Sequence, residues 1–149
     1  MAAQIAIATI TKEALAAATI ETLIQLIAAA NHRVKILEWG IFFNGTSNTA
    51  EPVDVQLQRQ TDAGTGSSLT PVKLDDSIGE TLLTTGQQDF NAEPTSTDEV
   101  DVALVHPQSW YVKQFPYGRE PKIGGGDRLG LRATAPAIVS CRAYIVFEE

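Results

Sequence analysis

The C-terminal stretch Asp127 to Glu149, DRLGLRATAPAIVSCRAYIVFEE, constrains the fold most, because it holds two runs of strand periodicity separated by a proline. Leu129, Leu131 and Ala133 alternate with Arg128, Gly130 and Arg132, so apolar groups fall on one face of a strand and charges on the other. Pro136 has no N–H for a ladder and pushes Ala135 into an extended or turn conformation, which marks a connection between strands. After it, Ala137, Val139, Cys141, Ala143, Ile145 and Phe147 share one face, and Ile138, Ser140, Arg142, Tyr144 and Val146 share a mixed one. A strand of this length and composition is expected at the centre of a sheet, closing the fold.

The rest of the chain repeats that period. Ile5, Ile7 and Thr9 alternate with Ala6, Ala8 and Ile10, so residues 1–12 hold either the first strand of the sheet or an arm that docks on a neighbouring subunit. Between residues 11 and 30, Ile20, Leu23, Ile24 and Ile27 fit a helix, whereas Thr22, Ile24, Leu26 and Ala28 fit a strand; a short helical turn at Glu13 to Ala17 stays open. Arg33 to Asn44 predicts a strand with Lys35, Leu37, Trp39, Ile41 and Phe43 on its core face, and Asn44-Gly45 with Thr46, Ser47 and Asn48 predicts a turn. Val53, Val55 and Leu57 point inward from the next strand. The run TDAGTGSS reads as a flexible loop, and Gln87 to Glu99 reads as a polar connection anchored by Phe90. Val100 to His106 and Trp110 to Gln114 are further strands, and Gly124-Gly125-Gly126 is a loop tip. About eight to ten short strands and no convincing long helix predict one all-β domain over residues 1–149, an antiparallel sandwich or jelly roll.

Composition narrows the function classes. The 149 residues carry 18 acids and 11 bases, a net charge of -7, which disfavours nucleic acid as a partner because phosphate binding needs clustered Lys and Arg. One cysteine excludes an internal disulfide and a thiolate metal cluster. The apolar N-terminal region is interrupted by Lys12, Glu13 and Glu21, short of the roughly 18 residues needed to cross a bilayer, and no basic region precedes it. A soluble, unprocessed protein with no membrane partner is expected. Charge is also segregated: residues 46–104 carry eleven acids against Arg59 and Lys73, and residues 105–147 carry six bases against Glu120 and Asp127. Arg128, Arg132 and Arg142 are therefore expected to face that acidic middle, within one subunit or head to tail between copies.

Chemistry-bearing residues do not assemble into a catalytic set in the sequence. His32 and His106 stand alone, where a cupin-type metal enzyme would need histidines two apart on a strand. Cys141 reads as a small buried hydrophobe, and the pairs Asp75-Asp76 and Asp98-Glu99 read as solvated loop carboxylates. No enzyme activity, metal or cofactor is expected. The cluster Trp110, Tyr111, Phe115, Tyr117 and Arg119 is the candidate recognition surface, since aromatics and Arg dominate interface hot spots; a core role competes with it.

The runs NHRVKILEWGIFFNGTSNTAEPVDVQLQRQTDAGTGSSLTPVKLD, QFPYGREPKIGGGDRLGLRATAP and VSCRAYIVFEE resemble small proteins encoded among the head genes of tailed bacteriophages, similar to capsid decoration (cement or auxiliary) proteins. The resemblance spans about two thirds of the chain and is weakest over residues 1–18 and 75–99. It implies a jelly-roll fold, an extended Thr19 to Ala29, and a structural protein made in the host cytoplasm. It also implies a homo-oligomer, a trimer, clamping the major capsid protein on the outer surface of the virion. Ile5, Ile7 and Ile10 are then the first candidates for contact with the shell or between subunits. A different class, a carbohydrate-binding jelly-roll module of a phage head or fibre, would use Trp110 and Tyr111 as a stacking platform.

Overall fold

The computed structural model describes residues 3–45 and 51–149, so the expected turn at Thr46 to Asn48 lies outside the described residues. Among the described residues thirteen strands succeed one another: β1 (Ile5–Thr9), β2 (Glu13–Leu15), β3 (Ile20–Ile27), β4 (Val34–Asn44), β5 (Val53–Gln60), β6 (Thr65–Leu69), β7 (Val72–Lys73), β8 (Thr85–Ala92), β9 (Ser96–Val105), β10 (Trp110–Gln114), β11 (Lys122–Ile123), β12 (Arg128–Thr134) and β13 (Val139–Glu148). Among the described residues there is no helix, so none could cross a membrane as one. The expected all-β antiparallel sandwich is the observed architecture, with more strands than the eight to ten anticipated.

Seven strands form one sheet in the order β10-β4-β13-β1-β7, with β11 added on β4 and β2 on β13; six form the other in the order β6-β8-β3-β12-β5-β9. The core lies between them and is built from the inward residues of both, with Trp39, Phe147, Ile41, Leu57, Ile24 and Leu131 fully buried. The closing strand β13 is central as expected, and its buried residues are Val139, Cys141, Ala143, Ile145 and Phe147. Its predecessor is elsewhere: β12 runs between β3 and β5 in the opposite sheet. The Ala135-Pro136 connection is thus a crossing from sheet to sheet.

Two bulges explain where periodicity misleads. In β4, Val34 and Ile36 are buried, then Trp39, Ile41 and Phe43. Val146 pairs with Glu38 and Phe147 with Ile36, so Leu37 is an extra residue that reverses which parity points inward. The expected core face holds only from Trp39 onward. In β3, Leu131 pairs with Ile24 and Arg132 with Thr22, leaving Leu23 as the extra residue. One residue inserted into a period of two produces a spacing of three, which imitates a helix in this segment.

Thr19 to Ala29 is extended as expected, and Glu13–Leu15 is a strand where a helical turn was open. The polar segments are corrected too. Residues 65–68 of the expected flexible loop form most of β6 (Thr65–Leu69), and the expected connection over residues 87–99 consists of most of β8 and the start of β9. The strands β6 and β8 pair at the edge of their sheet, where backbone bonds hold them and apolar alternation is not required. Asp98-Glu99 accordingly lies in a strand and not in a loop.

The N-terminal residues do not form a free arm. Ile5–Thr9 pairs with β13 on one side and β7 on the other, and Gln4 and Glu149 exchange both backbone hydrogen bonds at 3.0 and 2.9 Å.

Candidate functional site

Strand alternation divides the expected recognition cluster. Within β10, Trp110 points outward and is 63% exposed, whereas Tyr111 points inward and packs on Trp39 with ring centroids 5.2 Å apart. Phe115 packs against the core. Tyr117 stands at the tip of a turn closed by the Arg119 amide donating to the Pro116 carbonyl at 2.9 Å, and it is 96% exposed. Arg119 is exposed beside it. Tyr111 and Phe115 therefore belong to the interior side, and Trp110, Tyr117 and Arg119 to the surface. Of the N-terminal isoleucines, Ile10 is a core residue, while Ile5 and Ile7 sit on the outer face of the paired strand β1.

The neighbours of Trp110 come from strands distant in sequence. Register places Trp110 beside Phe42 and Phe42 beside Arg142. Phe42 stacks on Trp110 at 6.3 Å and on Tyr144 at 6.1 Å, with interplanar angles of 23° and 25°. Three rings thus form a strip across the outer face of the seven-stranded sheet. Tyr144 lies over Gly40, its partner in the ladder. Its hydroxyl donates to the Glu38 carboxylate, whose other oxygen accepts from the Gln114 side-chain amide. Burial and that bond to Glu38 push the Tyr144 phenol above its ordinary range, so it remains a neutral donor.

Beside the strip is an open cleft of about 410 Å³, lined among others by Phe42, Asn44, Ser140, Tyr144, Lys12 and Arg142. Arg142 donates from Nε and Nη2 to the Ile10 carbonyl at 3.3 and 3.2 Å, which anchors its guanidinium at the cleft. Phe42 and Tyr144 were not among the expected site residues. Both sit on outward parities that the sequence does show, but their adjacency to Trp110 depends on strand order, which alternation does not encode.

Of the three arginines expected to meet the acidic middle, Arg128 lies close enough to Asp62 to lower its carboxyl further, after the hydrogen bonds from Thr95 and Gly64 that do so first, whereas Arg132 and Arg142 make other bonds. Arg132 donates to the Gln58 carbonyl oxygen at 3.0 Å and Arg142 binds Ile10, while the ion pair among the described residues is Lys35 with Glu148 at 2.7 Å. Cys141 is buried, and desolvation together with Glu13 and Glu21 pushes its thiol up to about 12. His106 accepts the Gln108 amide on Nδ1, and among the described residues no three His, Cys, Asp or Glu side chains gather as a metal site. No family model, curated protein or solved structure matches this chain.

Proposed function

We propose that this protein is a structural component of a bacteriophage particle, a decoration protein that binds the major capsid protein on the outer surface of the shell as a homotrimer and stabilises it. The observation that carries this reading is the placement of large apolar side chains around the rim of the sandwich. Tyr117 is 96% exposed, Ile138 75%, Leu104 72% and Val72 64%, and all lie on loops or on the edge strands β7 and β9. These side chains are available to enter contacts with protein neighbours in a lattice, where aromatic and apolar groups form the buried centre of an interface. The strand order supports a jelly-roll reading: β1-β13-β4-β10 in one sheet faces β3-β12-β5-β9 in the other, an arrangement of eight strands in which successive strands change sheet except at β5 and β9, which pair within one sheet. Holding a shell together needs a rigid scaffold and repeated weak contacts, which many copies convert into large avidity.

The test is co-sedimentation of the purified protein with expanded capsid shells, imaged by electron microscopy, together with light scattering. Regular surface density on the shells and a trimer in solution are expected, with Tyr117→Ala and Leu104→Lys weakening retention while the fold persists. Monomer alone at high micromolar concentration, combined with no binding to expanded shells, would refute the reading.

A further inference from the structure

We propose that the outer face of the seven-stranded sheet is a binding site for an acidic oligosaccharide of the uronic-acid class, with successive sugar rings stacked along Trp110, Phe42 and Tyr144 and a carboxylate held by Arg142 and Lys12. This site does not depend on the virion reading, and it replaces a platform of Trp110 with Tyr111, because Tyr111 faces the interior.

The strip is built and held. Phe42 is 43% exposed and Trp110 63%, so water touches two large rings that the core does not use. Gly40 makes room for the Tyr144 ring, and the Glu38 carboxylate, itself braced by Gln114, fixes the Tyr144 hydroxyl. A fixed strip loses little conformational freedom when a ligand arrives. A pyranose has a face of C–H groups and a rim of hydroxyls; the first suits the flat ring faces, and the second suits the polar side chains of Asn44 and Ser140 in the adjoining cleft. The cleft, at about 410 Å³, lies within the size range of small-ligand sites.

Charge selects the acidic member of the class. Lys12 and Arg142 both line the cleft, and Arg142 keeps its Nη1 free of protein partners among the described residues because Nε and Nη2 carry the bond to Ile10. The Glu38 carboxylate lies at the Tyr144 end of the strip, where one oxygen accepts from the Tyr144 hydroxyl and the other from the Gln114 side-chain amide. Glu13 pairs in register with the inward Cys141 and so points away from the cleft. Two cations beside an apolar strip, with Glu38 already hydrogen-bonded at the strip's far end and Glu13 turned inward, match a carboxylate carried on a sugar ring.

Calorimetric titration of the full chain with oligogalacturonate, and with the same oligomer methyl-esterified to remove its charge, tests the site. Binding of the acid form is expected, with the ester at least about tenfold weaker. Trp110→Ala should weaken the acid form by about tenfold or more, and Lys12→Gln should weaken the acid form while leaving the ester unchanged. Arg142→Gln should act like Lys12→Gln; if it fails to fold, the exposed Lys12 carries the charge test. The proposal is overturned by absence of binding at millimolar acid oligomer, by equal affinity for acid and ester, or by an unchanged affinity in Trp110→Ala. It is equally overturned if the strip proves to be a contact between copies, seen as self-association that Trp110→Ala abolishes without any saccharide binding.

Discussion

Tyr144 lies flat over Gly40: a Cβ at residue 40 would stand 2.5 Å from Cε1 of the tyrosine ring. The glycine is required by its neighbour across the ladder, since the backbone there does not adopt a positive φ. Six-stranded and seven-stranded sheets share the device, because a Cβ at Gly130 would stand 2.4 Å from the Gln60 side-chain amide.

Gly40→Ala should therefore destabilise, although an alanine in a strand would ordinarily favour folding. The ring cannot shift without breaking its stack on Phe42 and its bond to Glu38, and such overpacking costs about 1–3 kcal/mol. Urea unfolding checks the value. Tyr144→Ala in the same chain should remove most of the penalty, a non-additive pair in a double-mutant cycle.

Trp39 is fully buried and donates its indole N–H to the Asp101 carboxylate at 3.0 Å, a bond that joins β4 in one sheet to β9 in the other. Asp101→Ala leaves that donor without a partner and should cost about 1–3 kcal/mol. Asp101→Asn keeps an acceptor and should cost less. Denaturant midpoints of the two variants give the comparison.

Glu13 should make the protein less stable as pH rises. Its carboxyl is pushed from 4.5 up to about 7, first by burial and then by Glu21, Asp89 and Glu93, and Oε2 has no hydrogen-bond partner among the described residues. Between those two values the folded protein holds the proton more strongly than the unfolded chain does. Stability contributed by this group consequently falls from about pH 4.5 to about pH 7, and the full penalty stands above that. Glu13→Gln should raise the melting temperature at pH 8 and change it much less at pH 4.5, as thermal scans at the two values will show.

Cys141 should resist thiol reagents in the folded protein. It is 1% exposed and its thiol is pushed up to about 12, so at pH 8 little thiolate exists and none of it is reachable. An aromatic disulfide reagent should label it at the rate of unfolding, and fully in urea. Fast stoichiometric labelling of the native protein would contradict its packing role.

How much was legible depended on whether a strand buries one clean face. Val53, Val55 and Leu57 alternate without interruption and are buried as read, and so are the inward residues of Val139–Glu148. Leu23 and Leu37 sit at bulges, and there the reading slipped from one face to the other or towards a helix. The edge strand β6 and its neighbour β8 show no apolar alternation, because their stability comes from backbone pairing between polar residues. One member of the candidate site was visible in the same way: Trp110 reads as an exposed aromatic on an alternating strand, and its partners Phe42 and Tyr144 do not.

Residue alternation alone is enough to show a mainly β chain whose last strand is central and whose Cys141 packs inside. That β12 and β13 belong to opposite sheets, that Tyr111 turns inward, and that Phe42, Tyr144 and Arg142 gather beside Trp110 follows from the folded arrangement of the strands. The reason is physical. Alternation records which side of a strand meets water, a local property, whereas strand order and register are set by how two sheets close over a shared core, and that is decided by residues up to the full length of the chain apart.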